Sequence, residues 1–201
     1  MRMETKLKII RAALRLFLQK GIEKTSMNDI AKSIGITKPA IYYHFENKEA
    51  VILGVLELFK KEMKKWTSNL HKTNTSAKDY IEKTFQSVKI FSDVTVILLG
   101  KIPDNCMYNF DELLSQFSKR NLLVKEDMER IFIQTRESIS ARIIIGQSNN
   151  HIRKDLDPEL LALQIHTIIE GINYIATLDS TVDLTTGGQK LFHEFWKTIE
   201  P

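Results

Sequence analysis

The chain is 201 residues long, 43% apolar and 27% charged with both signs interspersed, which bounds it to one large or two small folded domains and excludes a disordered polypeptide. One cysteine, Cys106, excludes an intrachain disulfide, and no apolar run approaches a membrane span, so we expect a soluble protein of the reducing cytoplasm. The net charge of +4 is unevenly spread: residues 1–66 hold 14 Lys/Arg against 7 Asp/Glu, net +7, and residues 67–201 hold 15 against 18, net −3, so any polyanion-attracting surface lies at the N-terminal end.

The opening MRMETKLKII leads into an amphipathic helix, not an apolar signal core. Leu7, Ile10, Leu14 and Phe17 recur at helical spacing and predict a helix over 4–20 that Gly21 ends. Lys6, Lys8, Arg11, Arg15, Lys20 and Lys24 carry much of the local charge; a solvated face accounts for most of them. Ser26 is a helix N-cap, and Asp29, three residues on, completes a capping box. Met27, Ile30, Ala31 and Ile34 form one apolar face, Gly35 stops the helix in a left-handed conformation, and Ile36 turns toward the core. Thr37 caps a second short helix with Pro39 in its first turn, where a missing amide hydrogen costs little. Ile41 and Phe45 face inward, leaving Lys38, Ala40, Tyr42, Tyr43 and His44 mainly outward. Asn47 caps a further helix with Lys48 in its first turn. Helix, tight turn and aromatic-basic helix together read as a DNA-binding helix-turn-helix, whose rings can lie against sugar-phosphate or a thymine methyl while OH and NH groups reach phosphate. The competing reading is an ordinary helical hairpin with surface tyrosines.

Further along, Val51, Val55, Leu58 and Phe59 predict a connecting helix over 47–66, and the polar, cap-rich segment 67–79 predicts a loop. Helices are expected over 78–100 (ended by Gly100), 107–118, 119–146, 157–178 and 188–199, with turns at 103–105 and 146–153. Asp157 and Pro158 open the fourth of these helices, 157–178, as N-cap and first residue. Its apolar residues lie on more than one side, which a helix with one buried stripe does not need. We therefore expect a homodimer built on Leu161, Ile165, Ile168, Ile172, Phe192, Phe195 and Trp196, with core packing as the alternative. Phe85, Phe91, Met107, Tyr108, Phe110, Phe117 and Phe132 are candidates to line an apolar effector pocket, although each taken singly fits a core position. His166 and Glu170, four apart and close to Asn173, are candidate polar anchors; a metal site is a poorer reading of two ligands than a hydrogen-bonded pair. Cys106 reads as a small apolar residue before it reads as a redox sensor. There is no Gly-rich phosphate loop, Cys/His cluster or nucleophile–base spacing, so we expect no enzyme, cofactor or catalytic residue.

The run TKPAIYYHFENKEA at 37–50 resembles the recognition-helix signature of the tetracycline-repressor (TetR-like) family, and IIRAALRLFLQKGIEKTSMNDIAKSIGI at 9–36 fits that family's first two helices. The resemblance is specific over about the first 55 residues; beyond them it is architectural, with a DLDPEL step at 155–160 before a long apolar helix. It implies an all-α fold: an N-terminal three-helix helix-turn-helix domain (1–47), a connecting helix (48–66) and a larger helical effector-binding and dimerisation domain (67–201). It also implies a dimeric repressor that a small-molecule effector releases from double-stranded DNA. Carried over by position, Ser26 and Lys48 meet phosphate, Lys38, Ala40 and Tyr42 lie near bases, Tyr43 and His44 meet the backbone, and Thr37 counts among the DNA-binding residues. The alternative function is a DNA-bound adaptor that acts through a protein partner with no effector.

Overall fold

A computed structural model describes residues 2–71, 76–101 and 110–201. Among them the regular structure is helical throughout: α1 (Arg2–Lys20), α2 (Met27–Ser33), α3 (Lys38–His44), α4 (Lys48–His71), α5 (Ala77–Gln86), a 3₁₀ turn (Ser87–Lys89), α6 (Ile90–Leu99), α7 (Phe110–Arg120), α8 (Leu122–Ser148), α9 (Pro158–Leu178) and α10 (Leu184–Ile199). The protein is all-α, as its sequence pattern implies. Two compact units emerge, Met1–Thr67 with Phe91–Leu122, and Ser68–Ile90 with Leu123–Pro201.

In the first unit α1 packs across α2, and α2 against α3. Ile9, Leu14, Phe17, Ile22, Ile30, Ile41 and Ile52 are fully buried there. Gly21 (φ +80°) and Gly35 (φ +69°) take the left-handed conformation that ends α1 and turns the chain between α2 and α3. α4 comes close to its neighbours at Gly54, where a Cβ would press at 3.2 Å on Ile10 and Phe45. α7 is held on α1 by an edge-to-face pair, Phe17–Phe117, with ring centroids 6.2 Å apart.

In the second unit α10 packs on α5 and α9, and the 3₁₀ turn packs against both α9 and α10. Phe85, Phe192 and Trp196 form a row of mutually tilted aromatic rings, with centroids 5.9 and 5.8 Å apart. Gln147 closes the turn after α8 by donating from Nε2 to the carbonyls of Arg153 and Leu156, at 2.9 and 2.8 Å.

Several boundaries differ from the sequence pattern. α4 runs to His71, through the polar residues read as a loop, because a long helix already propagating tolerates Thr, Ser and Asn in its last turns. The helix expected over 78–100 breaks at Ser87–Lys89, where the chain tightens against α9 and α10. α7 extends to Arg120 and α8 starts at Leu122, with Asn121 between them and its amide bonded to the Phe117 carbonyl at 3.0 Å. α10 begins at Leu184, capped by Asp183 accepting from the Thr185 amide, so Gly187 and Gly188 lie within the helix.

Candidate functional site

The helix-turn-helix is built by two side-chain caps. Ser26 Oγ accepts from the Asp29 amide at 3.1 Å, and Asp29 Oδ2 accepts from the Ser26 amide at 2.9 Å, a complete capping box. Lys20 adds an ammonium 3.0 Å from the same carboxylate oxygen. The Ser26 amide, with Lys20 and the Ser26 hydroxyl behind it, holds the Asp29 pKa down to about 2. Thr37 Oγ1 accepts from the Ala40 amide at 3.4 Å and starts α3, with Pro39 in its first turn. Asn47 Oδ1 accepts from the Ala50 amide at 2.9 Å and starts α4.

These caps fix which way α3 faces. Ile41 and Phe45 are buried, which anchors one side of the helix. Tyr42 is 44% exposed and Tyr43 67%, Lys38 is exposed, and Ala40 and His44 are half-buried. The Tyr43 and His44 rings meet edge to face at 5.2 Å, which stiffens both. A short helix thus presents two phenols, an imidazole and an ammonium together, groups able to donate to phosphate or base edges. Ser26 is also exposed, and its hydroxyl keeps a hydrogen to donate after accepting its cap bond. Lys48 has a second attachment that the sequence does not reveal: its ammonium donates to the Ile22 carbonyl at 3.0 Å, spending one of three N–H groups inside the protein.

The second unit holds a polar cluster between α8 and α9. His166, 8% exposed, has Nδ1 3.5 Å from Arg136 and Nε2 3.5 Å from the Glu170 carboxylate. A guanidinium only donates, so the Arg136 contact is a hydrogen bond only when Nδ1 of His166 is the acceptor. Phe132 meets the His166 ring edge to face at 5.0 Å. Two turns along α9, Asn173 is 6% exposed and its Nδ2 has no hydrogen-bond partner among the described residues. An orphaned buried donor of that kind costs about 1–3 kcal/mol. Among the described residues no three His, Cys, Asp or Glu side chains converge on a point that would hold a metal. Arg136 escaped the sequence reading; its spacing of four from Phe132 on α8 was the available signal.

The family model for bacterial regulatory proteins of the tetR family matches residues 9–55, which contain the helix-turn-helix, and the model for the tetracyclin repressor-like C-terminal domain matches residues 105–187. The chain belongs to the TetR family. It is therefore a DNA-binding transcriptional regulator and not an enzyme. This TetR-family regulator is 28% identical over 155 residues to the HTH-type transcriptional repressor DhaR of Mycobacterium sp. (strain GP1), covering 77% of this chain and 73% of that one. It is 46% identical over 55 residues to the HTH-type transcriptional regulator AcrR of Shigella flexneri, covering 27% and 26% of the two chains. Its fold is shared with a transcriptional regulator from Saccharomonospora viridis solved with choline, at a TM-score of 0.76 and 19% identity over 98% of this chain and 99% of that one.

Within this TetR-family chain the remaining candidate residues separate. Met107, Tyr108 and Cys106 lie outside the described residues; Phe91 falls in α6, and Phe110 opens α7. Phe117 is buried against Phe17 of α1, a core position of the first unit. Phe85 is likewise enclosed, against Phe192 and Phe195. Leu161, Ile165, Phe192 and Trp196, expected at a dimer interface, fill their own protomer's core, and Ile168, Ile172 and Phe195 pack at its edge. The uncovered apolar side chains of α9 are instead Leu160, Leu163, Tyr174, Ile175 and Leu178, with Ile133, Ile144 and Ile145 on α8.

Proposed function

We propose that this regulator is a homodimeric repressor, released from a palindromic operator by a small-molecule effector. The observation that carries the reading is the outward face of α3, where Lys38, Tyr42 and Tyr43 stand exposed on a helix capped at its start and anchored by Ile41 and Phe45. One such helix spans few base pairs; a two-fold pair doubles the contacts on half-sites about one DNA turn apart or a multiple of it. The repressor DhaR and the choline-bound structure support repression and an organic effector by likeness.

In this reading residues 1–47 bind DNA, 48–66 connect, and 67–201 dimerise and take the effector. Ser26, Thr37, Lys38, Ala40, Tyr42, Tyr43, His44 and Lys48 meet the duplex. The second copy docks on the apolar stripe of α9. His166, Glu170, Arg136 and Asn173 are the polar anchors of the effector, with Phe132 beside them; the orphaned Asn173 amide supports a partner there that binding supplies. Effector binding shifts the pair of recognition helices out of register with successive grooves. The working compartment is the cytoplasm, and no described helix is long and apolar enough to cross a membrane.

Enrichment of binding sites from random duplexes by the purified protein tests this. The expected product is an inverted repeat bound by two copies, with affinity that falls steeply as salt rises. Non-specific binding with no enriched sequence would overturn the base-reading role of α3 and favour an adaptor that acts through a protein partner.

A further inference from the structure

The segments that lead into and out of the helix-turn-helix are tied to each other and to α7. Lys48, at the start of α4, donates to the Ile22 carbonyl just before α2. The neighbours of these two residues, Glu23 and Glu49, are both ion-paired to one guanidinium, that of Arg120: one Nη contacts Glu23 and the other reaches Glu49 at 3.3 Å. Arg120 is the last residue of α7. One turn earlier on the same face, Phe117 meets Phe17 of α1. α7 thus holds the three-helix domain at a buried aromatic contact and at a charged fork that spans both ends of the motif. A planar guanidinium can grip two carboxylates with separate N–H groups, which an ammonium does with far less geometric definition. Arg120 is also separated from α8 by Asn121 alone, so movement of the start of α8 reaches it through two peptide bonds.

We propose that Arg120 is a positioning residue for DNA binding: it fastens the helix-turn-helix to α7, so that the placement of α7 sets the orientation in which α3 meets the duplex. The proposal rests on the DNA-reading role of α3. All three side chains are partly exposed, so the pairs add little to global stability and their removal acts on orientation instead.

The test uses the full-length protein and four variants: Arg120→Ala, Arg120→Lys, the double variant Glu23→Gln/Glu49→Gln, and the triple combination with Arg120→Ala. Without DNA, hydrogen exchange at the amides of 21–25 and 46–50 is expected to speed up several-fold in Arg120→Ala and in the double variant, with the thermal midpoint nearly unchanged. With DNA, preference for the enriched site over a random-sequence duplex should fall about tenfold, a size ordinary for coupled sites, while random-duplex affinity stays nearly constant. Arg120→Lys should recover part of that preference, and the triple variant should lose no more than Arg120→Ala alone. Unchanged exchange would overturn the proposal whether or not a specific site exists. So would an equal loss on both duplexes, which is the signature of lost positive charge. If the wild-type protein enriches no site, the reading of α3 fails and the exchange measurement still decides the role of Arg120.

Discussion

Asp29 and Lys48 show how single side chains of the helix-turn-helix divide between folding and binding. The Asp29 carboxylate is held by the Ser26 amide and by Lys20, which keeps its pKa near 2 against an ordinary 3.8. A depressed folded pKa contributes stability that is fully present above about pH 4 and is lost as the pH falls toward 2. Thermal unfolding of Asp29→Asn followed from pH 7 to pH 2 should therefore lack Asp29's share of the acid destabilisation that the wild-type protein shows, while the two slopes agree above pH 5. Lys48 is bound to the Ile22 carbonyl and also stands in the first turn of α4, beside the amides that face phosphate in the proposed complex. Lys48→Ala should lower the salt slope of DNA binding by about one unit. It should also destabilise the free protein by about 1 kcal/mol, because a charge-assisted hydrogen bond is lost. A normal salt slope with reduced stability would confine Lys48 to the internal clamp.

Among the elements, α2 and α3 were legible because their determinants are local: a cap, a glycine and an anchoring apolar pair within 20 residues or so of chain. The break after α5 was not, because its cause lies about a hundred residues away. A Cβ on Gly188 of α10 would fall far inside van der Waals contact of the Phe85 carbonyl and 3.1 Å from Val88, so the helix passes this close to the 3₁₀ turn only as glycine. The same glycines hid the true start of α10, since they read as breakers while they serve as a close approach. Gly188→Ala should therefore destabilise the protein by about 1–3 kcal/mol despite the better helix propensity of alanine, because a backbone carbonyl cannot rotate away as a side chain does. Urea denaturation reads this directly. The opposite sign is expected at Gly171, where an added Cβ meets nothing within 4 Å in the protomer.

At the scale of the whole molecule, the unresolved choice in the sequence was which side of α9 belongs to its own core. Apolar periodicity counts the stripes on a helix without saying what covers each one. Leu161, Ala162, Ile165 and Ile169 went inward, and Leu160, Leu163, Tyr174, Ile175 and Leu178 were left uncovered. The uncovered positions step by 3, 11, 1 and 3 along α9, and Thr167 and Gly171, both at helical spacing, fill the gap with small side chains. A stripe that is bulky at both ends and small in the middle lets a second helix cross closely at Gly171, as small residues do at tight helix contacts. Leu163→Glu should then shift the protein toward monomer in analytical ultracentrifugation, with little effect on protomer stability because the side chain is exposed. Ile165→Ala, from the buried side, should cost about 2–5 kcal/mol of stability. Gly171→Ala separates the two roles most sharply. In the protomer it should stabilise by about 0.4–1 kcal/mol through helix propensity and reduced unfolded-state freedom. In the proposed dimer the added methyl lies where the second helix would pass, so the dissociation constant should rise. If Gly171→Ala stabilised the fold and left dimer affinity intact, the second copy would have to dock elsewhere than on this face of α9.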